Sequence, residues 1–134
     1  MMAEVEYRPA RAEDYEAIRQ FLAGLGWDRR VSDPGKFKRM MEGADRTVVA
    51  LDRGRVVGFA RALCDGVSNG YLSMLAVSPE RRGQGIGREI VRRLTADERE
   101  EITWVLRAGR ESRGFWEKMG FEISEMAMER NRKG

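Results

Sequence analysis

The chain has 134 residues, 42% hydrophobic and 35% charged with three prolines, which favours one soluble globular domain, residues 1–134, over a disordered or membrane chain. A single cysteine, Cys64, excludes an intrachain disulfide. The absence of histidine removes the usual general base and the commonest metal ligand, so zinc chemistry and Ser-His or Cys-His nucleophilic pairs are excluded and no metal is expected.

The first residues are charged from Glu4 onward and carry no signal-peptide core, and no run approaches the roughly 20 apolar residues a bilayer needs. A cytoplasmic protein without membrane contact is the expectation. Val5 to Arg8 alternates up to Pro9 and reads as a short first strand. Ala12-Glu13-Asp14 opens a helix in which Ile18, Leu22 and Leu25 recur at helical spacing, and Gly24 and Gly26 close it. Ser32-Asp33-Pro34 starts a second helix, with Phe37, Met40 and Met41 on its apolar side.

Thr47 to Leu51 is a strand, Asp52-Arg53-Gly54-Arg55 a turn, and Val56 to Leu63 the returning strand of a hairpin. Asp65 to Gly70 is a turn-rich loop. Tyr71 to Val77 is apolar with little alternation, as in a strand buried on both faces. After Ser78-Pro79-Glu80 and a Gly-rich loop, Ile86, Ile90, Val91 and Leu94 mark an amphipathic helix. Ile102 to Leu106 is a strand, Ser112 to Lys118 a short helix closed by Gly120, and Phe121 to Met128 a final strand. The order β-α-α-β-β-β-α-β-α-β predicts an α/β (α+β in some schemes) fold. Its sheet would be mixed, mostly antiparallel and of about six strands, with helices on both faces and a parallel pair joined by a right-handed crossover.

The stretch Arg82-Gly83-Gln84-Gly85-Ile86-Gly87 lies between strand and helix and is a candidate anion site. The first amides of a helix have no internal partner, the dipole adds positive charge, and glycines let a phosphate approach closely. Arg82 and Arg88 flank the glycines, so a pyrophosphate fits. Arg81, Arg82, Arg88, Arg92 and Arg93 crowd this segment against one acid, Glu89, although the net charge is only +3. For Arg92 and Arg93 a solvated helix face is an equal reading. No Lys-Ser/Thr follows Gly87, which excludes a P-loop, and Gly-x-Gly-x-Gly in mid-chain departs from the dinucleotide spacing. A tight turn without ligand remains open on spacing alone.

The run Leu75-Ala76-Val77-Ser78-Pro79-Glu80-Arg81-Arg82-Gly83-Gln84-Gly85-Ile86-Gly87 resembles the acetyl-CoA motif of the GCN5-related N-acetyltransferases (GNAT), Arg/Gln-x-x-Gly-x-Gly/Ala, at Arg82, Gly85 and Gly87. Phe115-Trp116-Glu117-Lys118-Met119-Gly120-Phe121 resembles a second signature, and the element order is also that family's. The resemblance implies acetyl-CoA as co-substrate, with the amides from Arg82 to Gly87, including Gly83, Gln84 and Ile86, holding the pyrophosphate. It implies that Leu75 and Val77 pair through their backbone with the pantetheine arm. An amide near Ala76 would polarise the thioester carbonyl. The strand 71–77 would splay from 102–106 to admit the arm. The implied activity is acetyl transfer to a primary amine of a small molecule or peptide, by direct attack in a ternary complex. Nucleic acid is not an expected partner, because Glu98, Glu100 and Glu101 interrupt the basic run. Homodimers occur in the family.

Two positions depart from the family pattern. Trp116 stands where a Tyr often protonates the leaving thiolate, and Gly109 where an Asn is frequent. An indole N–H donates a hydrogen bond but is no acid, so Trp116 would contact the sulfur or the pantetheine, or simply fill core. A thiolate leaves without much help. Ser112, one turn earlier, could contact the same arm. Without histidine the base candidates are Asp65, Glu122, Glu125 and Glu129. Asp65 could also bind a cationic amine, although a plain turn residue is the preferred reading. Tyr71 and Trp27 are candidate walls of the acceptor pocket, or core. The competing reading of the whole is a non-catalytic acyl-CoA sensor.

Overall fold

The computed structural model describes residues 4–133. Its strands are β1 (Glu6–Arg8), β2 (Arg46–Asp52), β3 (Arg55–Cys64), β4 (Asn69–Val77) and β5 (Thr103–Leu106). Its α-helices are α1 (Tyr15–Leu22), α2 (Asp28–Val31), α3 (Pro34–Glu42), α4 (Ile86–Leu94) and α5 (Arg113–Lys118). The strands form one sheet in the order β1-β2-β3-β4-β5, antiparallel except for the parallel pair β4–β5. The antiparallel half and the parallel crossover are therefore as the sequence predicts.

Local chemistry accounts for the element ends. Arg53 and Gly54 form the two-residue hairpin turn, both at positive φ (52° and 81°), a geometry that suits the strand twist. Asp33 caps α3 by accepting from the amides of Gly35 and Lys36, with Pro34 in the first helical turn. Gly26, at φ 95°, breaks the first helical stretch, and a short α2 that the sequence reading lacked follows it.

Strands β2 and β3 are buried in continuous runs because helices cover both faces. On one face Val48, Ala50, Ala60 and Ala62 meet Ile86, Ile90, Val91 and Leu94 of α4 and Trp116 of α5. On the other, Val49, Leu51 and Phe59 meet Ile18 and Leu22 of α1, Val31 of α2 and Phe37 and Met41 of α3. Gly58 lets α4 lie this close, since a Cβ there would come within 2.8 Å of Ile90 Cδ1.

Two expectations need correction. Among the described residues the sheet has five strands, close to the expected six, and Phe121 to Met128 forms none. That segment alternates only loosely, and Ile123 (77% exposed), Met126 and Met128 bury no face that would hold a strand in place. Strand β4 is not buried on both faces: buried residues alternate with half-buried ones along it.

Candidate active site

Strands β4 and β5 pair only from Asn69↔Thr103 to Leu72↔Leu106. Beyond that point β4 runs on to Val77, while the chain after Leu106 turns away through Arg107 and Gly109 toward α5. A cleft of about 750 Å³ fills the divergence. Ser73 to Val77 form one wall, and Leu106, Arg107, Ser112, Phe115 and Trp116 line the other side. The Arg82–Arg88 loop borders the same cleft, and so do Leu25 and Trp27.

A bulge sets the inner wall. Arg61 pairs with Ser73 and Phe59 with Ala76, so β4 carries one extra residue in this interval, and Met74 sits at φ 65°. Such a backbone costs about 1–3 kcal/mol and leaves peptide groups near Met74 and Leu75 outside the ladder with β3. A methionine gives no sequence signal for positive φ, and the sequence reading missed it.

The Gly-rich loop is built as an anion cradle. Gly83 (φ 80°) and Gly85 (φ 87°) are left-handed, and a Cβ on either would meet nothing within 4 Å. Gly85 is the N-cap of α4 and supplies no side-chain cap, so the first-turn amides of α4 keep no capping partner. Arg81 anchors the loop: its Nη1 contacts Asp52 Oδ2 at 2.6 Å and its Nε donates to Gln84 Oε1 at 2.9 Å. Gln84 thus shapes the loop with its side chain and does not line the cleft. Gly87 allows close packing, since a Cβ there would touch Phe115 at 3.3 Å and Val77 at 3.5 Å.

The arginine cluster divides by partner. Arg92 and Arg93 both contact Glu89 Oε2 at 2.6 Å and stay outside the cleft, so the solvated helix face describes them. Their hydrogen bonds hold the Glu89 carboxyl down at about 2. Arg82 and Arg88 line the cleft and make no ion pair among the described residues. The one carboxylate along the cleft among those residues is Glu111, against Arg81, Arg82, Arg88, Arg107 and Lys118. An uncapped helix end with unpaired guanidiniums beside it fits a polyphosphate.

The other candidates separate. Leu75, Ala76, Val77, Ile86 and Ser112 border the cleft. Ser112 Oγ already donates to the Gly109 carbonyl at 3.0 Å. Trp116 is 8% exposed and stacks edge-on between Phe115 (5.0 Å) and Phe121 (5.3 Å), so it is core and cleft wall at once. Trp27 lines the cleft; Tyr71, half-buried, does not. Asp65 lies away from it. Its Oδ1 accepts from the amides of Val67, Ser68 and Asn69 and its Oδ2 from Ser68 Oγ, so the carboxylate ties its own loop. The Ser68 amide foremost, with those of Val67 and Asn69, holds its carboxyl well below the usual carboxylate range, which is unsuited to a base near neutral pH. Glu129 pairs with Arg107 at 2.9 Å, and Glu122 borders a different hollow. Among the described residues no helix is long and apolar enough to cross a membrane, and no acidic or cysteine group is placed to hold a metal.

Known proteins bear on this geometry. Residues 43–123 match the model of an acetyltransferase (GNAT) domain. Serotonin N-acetyltransferase 2, chloroplastic, of Oryza sativa subsp. japonica is 32% identical over 129 residues, 90% of this chain. The chain spans 62% of that curated relative's length. A Xanthomonas campestris pv. campestris structure assigned to the GNAT family superposes with a TM-score of 0.82 at 21% identity, covering 98% of this chain and 96% of that one. A Clostridium acetobutylicum structure with acetyl-CoA gives a TM-score of 0.76 at 20% identity, covering 96% of each chain. These two share the fold. The family model spans the hairpin, the bulged β4, the anion loop and the parting of β4 from β5, and with that match the chain belongs to the GNAT family of acetyltransferases.

Proposed function

We propose that the cleft binds acetyl-CoA and that the chain, acting as one domain, transfers the acetyl group to a primary amine. The observation that carries this reading is one continuous cleft. It runs from the uncapped, arginine-flanked start of α4 to the point where β4 leaves β5. The pyrophosphate sits on the amides of Gly83 to Arg88, with Arg82 and Arg88 pairing its oxygens. The pantetheine arm lies along β4, where Leu75 and Val77 offer unpaired backbone groups toward the divergence. The bulge at Met74 leaves peptide groups near Met74 and Leu75 outside the ladder with β3, which supports an amide there as donor to the thioester carbonyl; such a donor contributes a few kcal/mol to an oxyanion-like transition state.

The amine attacks the thioester carbon directly. The N–C bond forms, the C–S bond breaks, and the CoA thiolate leaves with the bonding pair. Its moderate basicity makes a dedicated acid dispensable, which suits an indole at position 116. With Asp65 committed to its own loop, Glu129 paired with Arg107 and Glu122 at another hollow, the amine proton passes to water, directly or through Glu111 on the cleft wall. The rice relative's name specifies a primary amine as acceptor, which supports an amine rather than a hydroxyl here.

The test is free-thiol release from acetyl-CoA against a panel of primary amines. Amine-dependent release supports transfer. Calorimetric binding of acetyl-CoA without release from any amine favours the sensor reading, and no binding refutes both.

A further inference from the structure

A second cationic cluster lies on the α1–α3 face of the sheet. Arg61 stands in β3 between Ala60 and Ala62 and is only 8% exposed. Its Nε donates to Met74 Sδ at 3.4 Å, and no carboxylate among the described residues pairs with it. Arg30 of α2 is half-buried, lies 6.0 Å over the Trp27 ring and also lacks a carboxylate partner among them. Burial depresses both guanidiniums. The charge of Arg30 adds to this at Arg61, and those of Arg132 and Arg107 add to it at Arg30, with Tyr71 as the opposing influence at both.

Burying a guanidinium without a counter-charge is costly, and packing alone does not require an arginine at position 61. The cluster adjoins the cleft. Arg61 is the strand partner of Ser73, and Ser73, Met74, Trp27 and Arg107 all line that cleft. Ser73 is four residues from Val77, so about 13 Å of strand separates it from the end where the Arg82–Arg88 loop begins. Arg61 and Arg30 themselves stand behind the cleft wall and not in the lining, so the molecule has two separate cationic places, the loop on the cleft and this cluster next to it.

We propose that Arg61 and Arg30 bind an oxyanion carried by the acceptor. The acetylated amine then belongs to a compound with a carboxylate or a phosphate ester, not to a simple monoamine or polyamine. Paired guanidiniums suit either group, and Trp27 supplies a flat apolar wall for the carbon skeleton between anion and amine. This deepens the acetyltransferase reading above and rests on it.

The experiment compares kcat/KM at saturating acetyl-CoA for matched amines: tyrosine against tyramine, β-alanine against propylamine, and O-phosphoethanolamine against ethanolamine. The first two pairs report a carboxylate and the third a phosphate. The expected result is a preference of about 10- to 100-fold for an anionic member over its partner. Arg30→Ala and Arg61→Met should each collapse that ratio, chiefly through KM, whereas Arg92→Ala, outside the cleft, keeps it. Arg30 is half-buried, so its variant folds even where Arg61→Met does not. Neutral members that react as well as anionic ones, or a preference that survives Arg30→Ala, would overturn the inference and leave acetyl transfer standing. Where no amine of the panel reacts, inorganic phosphate is titrated against the acetyl-CoA-loaded protein. Saturable binding lost in Arg30→Ala supports the anion site, and its absence overturns it. Failure of acetyl-CoA to bind at all removes the acetyltransferase reading and this inference with it.

Discussion

Gly85→Glu separates the electrostatics of the anion loop from its shape. Gly85 sits at φ 87° with open space where a Cβ would go, so the side chain meets no steric block within 4 Å. The cost to folding is the left-handed backbone alone, about 1 kcal/mol, or a Tm lowered by roughly 3–6 °C. Gly85→Ala carries the same cost without charge. In Gly85→Glu a carboxylate enters beside the pyrophosphate. At about 5 Å and an effective dielectric near 20, each pair of like charges opposes binding by about 3 kcal/mol. Side-chain motion and salt reduce that, and a loss of more than about 100-fold in acetyl-CoA affinity remains. Calorimetric titration of both variants, with thermal unfolding of each, measures the two effects separately. The reasoning is refuted if Gly85→Glu binds like the native chain, or if Gly85→Ala loses as much affinity as Gly85→Glu.

Arg82→Ala and Arg88→Ala should each weaken acetyl-CoA binding about 10-fold at low salt and less at high salt, while Arg92→Ala leaves it unchanged, as read from Kd at two ionic strengths. Gly58→Val places a Cβ 2.8 Å from Ile90 Cδ1 and 3.1 Å from Ile86 Cγ2. It should cost about 1–3 kcal/mol in urea unfolding and weaken acetyl-CoA binding by tilting the first turn of α4. Acid should destabilise the chain. The Glu89 carboxyl is held at about 2 by Arg92 and Arg93, that of Glu16 at about 2 by Arg19 and then Gln20, and that of Asp14 is lowered by Arg8. These depressed groups contribute above the ordinary carboxylate range of about 4, and their contribution is lost as pH falls toward 2. With no histidine, Tm should show no step near pH 6.5; such a step, or a rise in Tm on acidification, would contradict this.

Much of the frame was legible in the sequence because its signals are local. The Arg53-Gly54 turn, the Asp33-Pro34 helix start and the glycines of the anion loop each follow from backbone chemistry within a few residues. The parting of β4 from β5 was reached through the family resemblance, since nothing in 71–77 itself says where pairing ends. Two things escaped because they are decided across the fold. Met74 takes a positive φ that no methionine announces, imposed by the register of β3 against β4. The expected strand 121–128 lacks a partner because, beyond Phe121, its apolar residues Ile123, Met126 and Met128 stay exposed. One signal was present and unused: Arg61 interrupts an otherwise apolar strand, and that anomaly marks the cluster beside the cleft.

The most direct test of the cleft as an acetyl-CoA site is residue-resolved. Backbone amide resonances of the labelled protein are followed as acetyl-CoA is added. The account predicts saturable shifts concentrated at Gly83 to Arg88 and at Ser73 to Val77, with the amides of Asp65 to Asn69 unmoved. Shifts confined to other parts of the chain, or none at all, would contradict it.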